Sequence, residues 1–151
     1  LRAPAPIGDV TQEELFQDSL VLLARHGHPL FGGAPIRLAD LAAYPWVVAR
    51  AGTPTRKHFD ALFAPLGAGN PRSIVESGSI ILMRELLRAS DHLGCISRLQ
   101  AAPELAHGTI ALLPYEVEGT ARPIGLTLRA DWIPTRAQRD FLAELRAVAA
   151  D

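Results

Sequence analysis

The sequence predicts an α/β fold built on a mostly parallel sheet, and three observations carry that prediction. Short strand-like segments recur at 19–25, 44–49, 72–76, 92–96 and 109–113, most of them apolar runs. Helical patterns lie between the later ones, and Gly, Pro, Ser and Thr punctuate the joins. Strands that alternate with helices need crossovers, and crossovers join parallel neighbours.

Taken in order, Pro4, Pro6 and Gly8 make 1–8 an extended loop, and 14–18 reads as a half-buried strand with Leu15 and Gln17 alternating with Phe16. Residues 19–25 form a buried strand closed by His26-Gly27-His28-Pro29, which is turn chemistry. A short helix at 38–43 precedes a second buried strand at 44–49, marked by its β-branched residues. Thr53-Pro54 then offers an N-cap with proline at the first helical position, and Phe59, Leu62, Phe63 and Leu66 recur on one face before Gly67. Residues 72–76 read as a strand and Ser77-Gly78-Ser79 as a cap. A largely buried helix follows at 80–89, with Ile80, Met83 and Leu87 on one face. The strand at 92–96, a helix at 98–106 stopped by Gly108, and the strand at 109–113 complete the middle of the chain. Beyond it, 122–129 alternates with Ile124, Leu126 and Leu128 on one face, and 135–150 carries Phe141, Leu142, Leu145 and Val148 on one helical stripe. This last strand and helix have no sheet of their own nearby in sequence.

Composition excludes several classes. Of 151 residues, 48% are hydrophobic and 21% charged, with no apolar run long enough to span a membrane. A net charge of -1 argues against a domain that neutralises many phosphates. The single cysteine, Cys95, rules out an internal disulfide framework and a cysteine-rich zinc site. No secretory signal pattern is present and the first residue is Leu1, so the chain is expected to be a piece of a longer, cytoplasmic polypeptide.

Most clusters of reactive residue types have a plain explanation. His26 and His28 could share a metal on an extended strand, but Gly27 and Pro29 make the segment a turn and no third ligand accompanies them. Asp91-His92 with Ser77 or Ser79 has the residue types of a hydrolase triad without a nucleophile elbow. Cys95 lies in an apolar run and is expected to be inert. Neither a catalytic group, a metal nor a cofactor is therefore expected. Two loops remain, each leading from a strand end to a helix N-terminus: Gly52-Thr53-Pro54-Thr55 and Ser77-Gly78-Ser79. Ligands of open parallel sheets bind at such ends, where unpaired N–H groups and the helix dipole favour negative charge. Capping alone explains either loop by itself; together they make a polar pocket for a small carboxylate-bearing molecule.

The order of these pieces is similar to a known family. Leu15-Phe16-Gln17-Asp18-Ser19-Leu20-Val21-Leu22-Leu23-Ala24-Arg25, followed by Gly27-His28-Pro29-Leu30, resembles the effector-binding domain of LysR-type transcriptional regulators. The resemblance continues through Leu38-Ala39-Asp40-Leu41, Tyr44-Pro45-Trp46-Val47, Gly52-Thr53 with Arg56, and Val75-Glu76-Ser77. It runs on through Leu93-Gly94-Cys95-Ile96, Glu104-Leu105 with Gly108, and Leu112-Leu113-Pro114. Arg122-Pro123-Ile124-Gly125-Leu126 and the helix carrying Phe141-Leu142 close it.

The resemblance implies a type 2 periplasmic-binding-protein-like fold of two α/β lobes joined by crossing strands, with a small-molecule effector bound between them. Mapped here, 19–114 is one complete parallel-sheet lobe, and 1–18 with 115–151 a partial second lobe whose helix-turn-helix neighbour and opening strands are absent. The effector site it implies uses Gly52, Thr53, Thr55, Ser77, Gly78 and Ser79, the hydroxyls donating to an anionic ligand; Arg2 lies near its other wall. On that basis Thr53→Ala is expected to cost on the order of 1 kcal/mol of effector affinity. DNA is contacted only through the missing domain, no membrane is involved, and the open strand edge invites self-association. Two rival functions share this architecture: an extracytoplasmic solute-binding protein, which an upstream signal peptide would mark, and an enzyme, which needs a catalytic constellation not found here.

Overall fold

The computed structural model describes residues 8–67, 71 and 73–150. The expected loop at 1–8 and Arg2 therefore lie outside the described residues, except for Gly8. Two compact units divide the chain, one holding Ser19–Thr120 and the other Leu1–Asp18 with Ala121–Asp151.

The larger unit is a three-layer sandwich. Its strands are β2 (Leu20–Arg25), β3 (Trp46–Val48), β4 (Ile74–Glu76), β5 (Leu93–Ser97) and β6 (Ile110–Leu112), in the order β4-β3-β5-β2-β6; β1 is the strand of the smaller unit, Val10–Asp18. The pairs β3–β4 and β3–β5 are parallel, as the alternation of strands and helices requires. Both pairings of β2 are antiparallel, which corrects the expectation of a parallel sheet at one place: β2 is inserted, inverted, between β5 and β6. No crossover helix precedes β2, so nothing constrained its direction to match the others.

Strand periodicity assigns the two faces of the sheet. Leu20, Leu22, Ala24, Trp46, Val48, Leu93 and Cys95 face α1 (Leu38–Ala42) and α2 (Pro54–Phe63), where Leu41, Phe59 and Phe63 meet them. Leu23, Val47, Ile96 and Ile110 face α3 (Ile80–Ala89) and α4 (Arg98–Ala106), through Met83, Leu87 and Ala101. Trp46 is wholly buried, its ring 5.1 Å from Phe59 and 5.4 Å from Phe63, and its indole N–H donates to the Leu41 carbonyl at 3.0 Å. That contact fixes α2 to the strand from which the Thr53 loop departs. Of the stripe expected on α3, Met83 and Leu87 are buried, but Ile80, in the first turn, is 43% exposed. The unit extends six residues beyond the Pro114 boundary expected from sequence: Val117 is buried in the core, and Thr120 Oγ1 accepts from the Leu20 N–H at 3.2 Å.

In the smaller unit, β1 pairs antiparallel with β7 (Arg122–Arg129). A bulge between Glu14 and Phe16 makes Leu15 the extra residue, so adjacent Leu15 and Phe16 are both half-buried where strict alternation predicts one. Helix α5 (Arg136–Ala150) lies on β1, with Arg146 in a bidentate pair with Glu13 at 2.7 Å for each bond. Only Leu142 of the predicted four-residue stripe is buried; Phe141 and Val148 are 63% and 73% exposed. Among the described residues, a two-stranded sheet is too narrow to cover the whole stripe.

Candidate functional site

Strand register brings the two predicted loops together. Val48, the last residue of β3, pairs with Glu76, the last of β4, and the Ser77 N–H donates to the Val48 carbonyl at 2.9 Å. The loops into α2 and α3 thus leave the same edge of the sheet from adjacent strands. Gly52 turns the first of them with φ +85°, a conformation that side chains with a Cβ rarely adopt.

The hydroxyls are not equivalent. Thr53 Oγ1 accepts the Arg56 N–H at 3.2 Å as the N-cap of α2, and its own proton goes to the Arg50 carbonyl at 2.8 Å. A hydroxyl has one proton, so Thr53 has none left for a ligand, which corrects the donor role expected for it. Ser79 Oγ caps α3 by accepting from Leu82 N–H at 3.2 Å, and Ser77 Oγ accepts from Ser79 N–H at 3.0 Å. Both serine protons remain unspent among the described residues, as does the Thr55 hydroxyl in the first turn of α2. Gly78 leaves space above its backbone: a Cβ there would lie 3.7 Å from Arg50 Nε.

Charge around the loops is organised by Arg56, whose side chain is only 14% exposed. Its guanidinium donates to Asp60 at 2.7 Å, to the Ala49 carbonyl at 3.5 Å, and to Glu76. These bonds tie the end of β3, the end of β4 and α2 to one another. They also raise the Arg56 pKa, through Asp60 first and then Glu76, and hold the Glu76 carboxyl below its usual range, mainly through Arg56.

A third strand end shares this edge. Ser97, at the end of β5, caps α4 by accepting from Gln100 N–H at 3.3 Å and is 95% buried at 5% exposure. The cap is carried by the same signal as Ser79-Ile80, a serine directly before the first helical residue.

The other clusters have structural employment. His28 is buried against Tyr44, its Nδ1 accepting from Leu30 N–H at 3.2 Å and its Nε2 meeting the Asp91 carbonyl at 3.3 Å. Asp91 pairs with Arg25 at 2.8 Å, and His92 Nδ1 meets Ser90 Oγ at 2.7 Å at the start of β5, the opposite edge of the sheet from Ser77 and Ser79. Burial pushes the Cys95 thiol up to about 12. Among the described residues, no group of three or more His, Cys, Asp or Glu could hold a metal ion, and no helix is long and apolar enough to cross a membrane.

Comparison with known proteins agrees with this architecture. The LysR substrate binding domain family matches residues 1–150. The HTH-type transcriptional regulator GalR of Pseudomonas putida is 38% identical over 140 residues, covering 93% of this chain and 35% of that protein. The uncharacterized HTH-type transcriptional regulator YdcI of Escherichia coli K12 is 32% identical over 128 residues, covering 85% and 41% respectively. The chain therefore spans well under half the length of these two relatives. Among solved structures, the regulatory domain of Synechocystis PCC6803 CcmR in complex with 2-PG superposes with a TM-score of 0.71 at 19% identity, covering 99% of this chain and 71% of that one. The effector binding domain of QuiR in complex with shikimate gives a TM-score of 0.65 at 20% identity, covering 94% and 66%. These structures share the type 2 periplasmic-binding-protein-like fold with this chain. With the family match running from Leu1 to residue 150 and relatives at 38% and 32% identity, the chain belongs to the LysR substrate binding domain family.

Proposed function

We propose that this chain binds a small anionic effector at the loops 52–55 and 77–79, without catalysis, as the sensing part of a cytoplasmic LysR-type transcriptional regulator. The observation that carries the reading is the pairing of Val48 with Glu76. It sets two helix N-termini side by side, with unspent protons on Thr55, Ser77 and Ser79 and first-turn amides free of helix partners. A carboxylate accepts from such donors, and charge-assisted hydrogen bonds of this kind are the stronger ones.

In this reading the larger unit is the second lobe and the smaller unit part of the first. Effector binding favours one arrangement of the regulator over another and so resets how a helix-turn-helix domain elsewhere in the polypeptide meets DNA. Family membership and the HTH-type names of the relatives support it. Self-association belongs to the same proposal, and sedimentation velocity showing a monomer at every concentration overturns that part.

Amide shifts in this chain on titration with small carboxylates, shikimate among them, test the site. The largest shifts are expected at 52–56 and 77–81; a saturable ligand whose shifts fall elsewhere overturns it. Sequencing the coding region upstream of Leu1 tests the regulator: a helix-turn-helix segment is expected, and a secretory signal overturns it.

A further inference from the structure

Two guanidinium groups reach the loops of this site, and they differ in what already holds them. Arg56 is committed to Asp60, Glu76 and the Ala49 carbonyl. Arg50 is exposed and has no side-chain partner among the described residues. Its carbonyl accepts from Thr53, which anchors its backbone at the turn. Its side chain runs across to the other loop, where Nε and Cζ lie 3.7 and 3.9 Å from the position of a Cβ on Gly78.

An exposed arginine is ordinarily just solvated, so its surroundings decide the matter. Nine of the described arginines have a carboxylate partner, and Arg139 donates to the Pro134 carbonyl. The two left over, Arg50 and Arg98, stand at the ends of the adjacent strands β3 and β5, on one edge of the sheet. The nearby acids, Glu76 and Asp60, are taken by Arg56. Among the described residues, the two guanidinium groups without a carboxylate partner are thus gathered beside the predicted binding loops, and Lys57, in α2, is the other cation without one.

We infer that Arg50 is the residue by which the site selects charge: its guanidinium, lying across Gly78, pairs with an oxyanion group of the effector, carboxylate or phosphoryl. The inference rests on the proposed effector site and adds the residue that discriminates between charged and neutral ligands. A planar fork of donors suits either oxyanion, and lysine does not replace it fully. A Cβ at Gly78 would lie in ordinary van der Waals contact with that guanidinium, so glycine leaves its face against the loop uncovered without being required for it.

The test titrates this chain with shikimate, a carboxylate, and with inorganic phosphate, following the Arg50 Nε–H and the Gly78 amide by NMR. At least one probe is expected to shift both signals saturably, and the stronger probe says which oxyanion the site prefers. Arg50→Gln should then weaken that probe at least tenfold and Arg50→Lys by less, with Trp46 fluorescence confirming that each variant is folded. If the probe still shifts the 53–56 and 77–80 amides but Arg50→Gln leaves its affinity within twofold, the role of Arg50 falls and the site stands. If neither probe moves either loop, both fall.

Discussion

Thr53→Ala separates capping from ligand contact, and the structure fixes what each should cost. The substitution deletes the acceptor for the Arg56 N–H and the donor to the Arg50 carbonyl. Loss of a threonine N-cap costs about 1 kcal/mol, whereas the Arg50 carbonyl still accepts from the residue-53 backbone N–H at 3.4 Å. A loss of about 1 kcal/mol multiplies the unfolded fraction roughly fivefold and lowers Tm by about 2 to 4 °C in a chain of this size. Because the Thr53 proton is already spent, effector affinity should change by less than about twofold, not by the full hydrogen bond expected from sequence. Urea unfolding in a Trp132→Phe background, with Trp46 reporting on α2 through its contacts with Phe59 and Phe63, gives the stability. Amide titration gives the affinity. Unchanged stability with lost affinity would refute the reasoning, since it would mean that the hydroxyl faces the ligand and not its own helix.

Three further outcomes follow from the packing. Gly125→Ala places a Cβ onto the Glu13 carbonyl, with the Glu14 Cα 3.0 Å away, and backbone cannot yield as a side chain can. The pairing of β1 with β7 should be lost at a cost above about 3 kcal/mol, seen as collapsed hydrogen-exchange protection over 10–18; retained protection refutes it. His28 has its pKa lowered, chiefly by burial, against the smaller opposing effect of Asp91. The unfolded chain therefore binds this proton more readily, so the stability it contributes is full above about pH 6.5 and declines as the pH falls from there toward the lowered folded value. His28→Gln should flatten urea midpoints measured between pH 7.5 and 5.5, and an unchanged slope would assign the pH dependence elsewhere. Cys95, buried and with its thiol pushed up to about 12, should react with a disulfide reagent only after unfolding; fast labelling of the folded chain would contradict its burial.

How much of this was legible in the sequence depended on whether the signal was local. The caps Thr53 and Ser79, the proline opening α2 and the apolar runs of β2, β3 and β5 act within a few residues of themselves, and each stands where its local chemistry puts it. The alternation of strands and helices determined the α/β class for the same reason, since a crossover constrains its two neighbours. Ser97 carries a comparable local signal, a serine directly before the helix at 98–106, which it caps.

What tertiary structure decided was long-range. The inversion of β2 depends on how the chain enters the sheet, which no periodicity within residues 20–25 records. The partial exposure of Phe141 and Val148 depends on where their sheet ends, because an amphipathic stripe reports which face could be buried and not how much surface is there to bury it. The site itself divides along the same line. The residue types of both loops, and the preference of helix N-termini for anions, are properties of the sequence. That Thr53 spends its proton on the Arg50 carbonyl is a contact within one turn, made by the loop itself; that Arg56 is neutralised by Glu76 while Arg50 is not, and that Arg50 lies across Gly78, follow only from the register that aligns Val48 with Glu76, since ion pairs and long-range contacts are made by whichever groups the fold brings together.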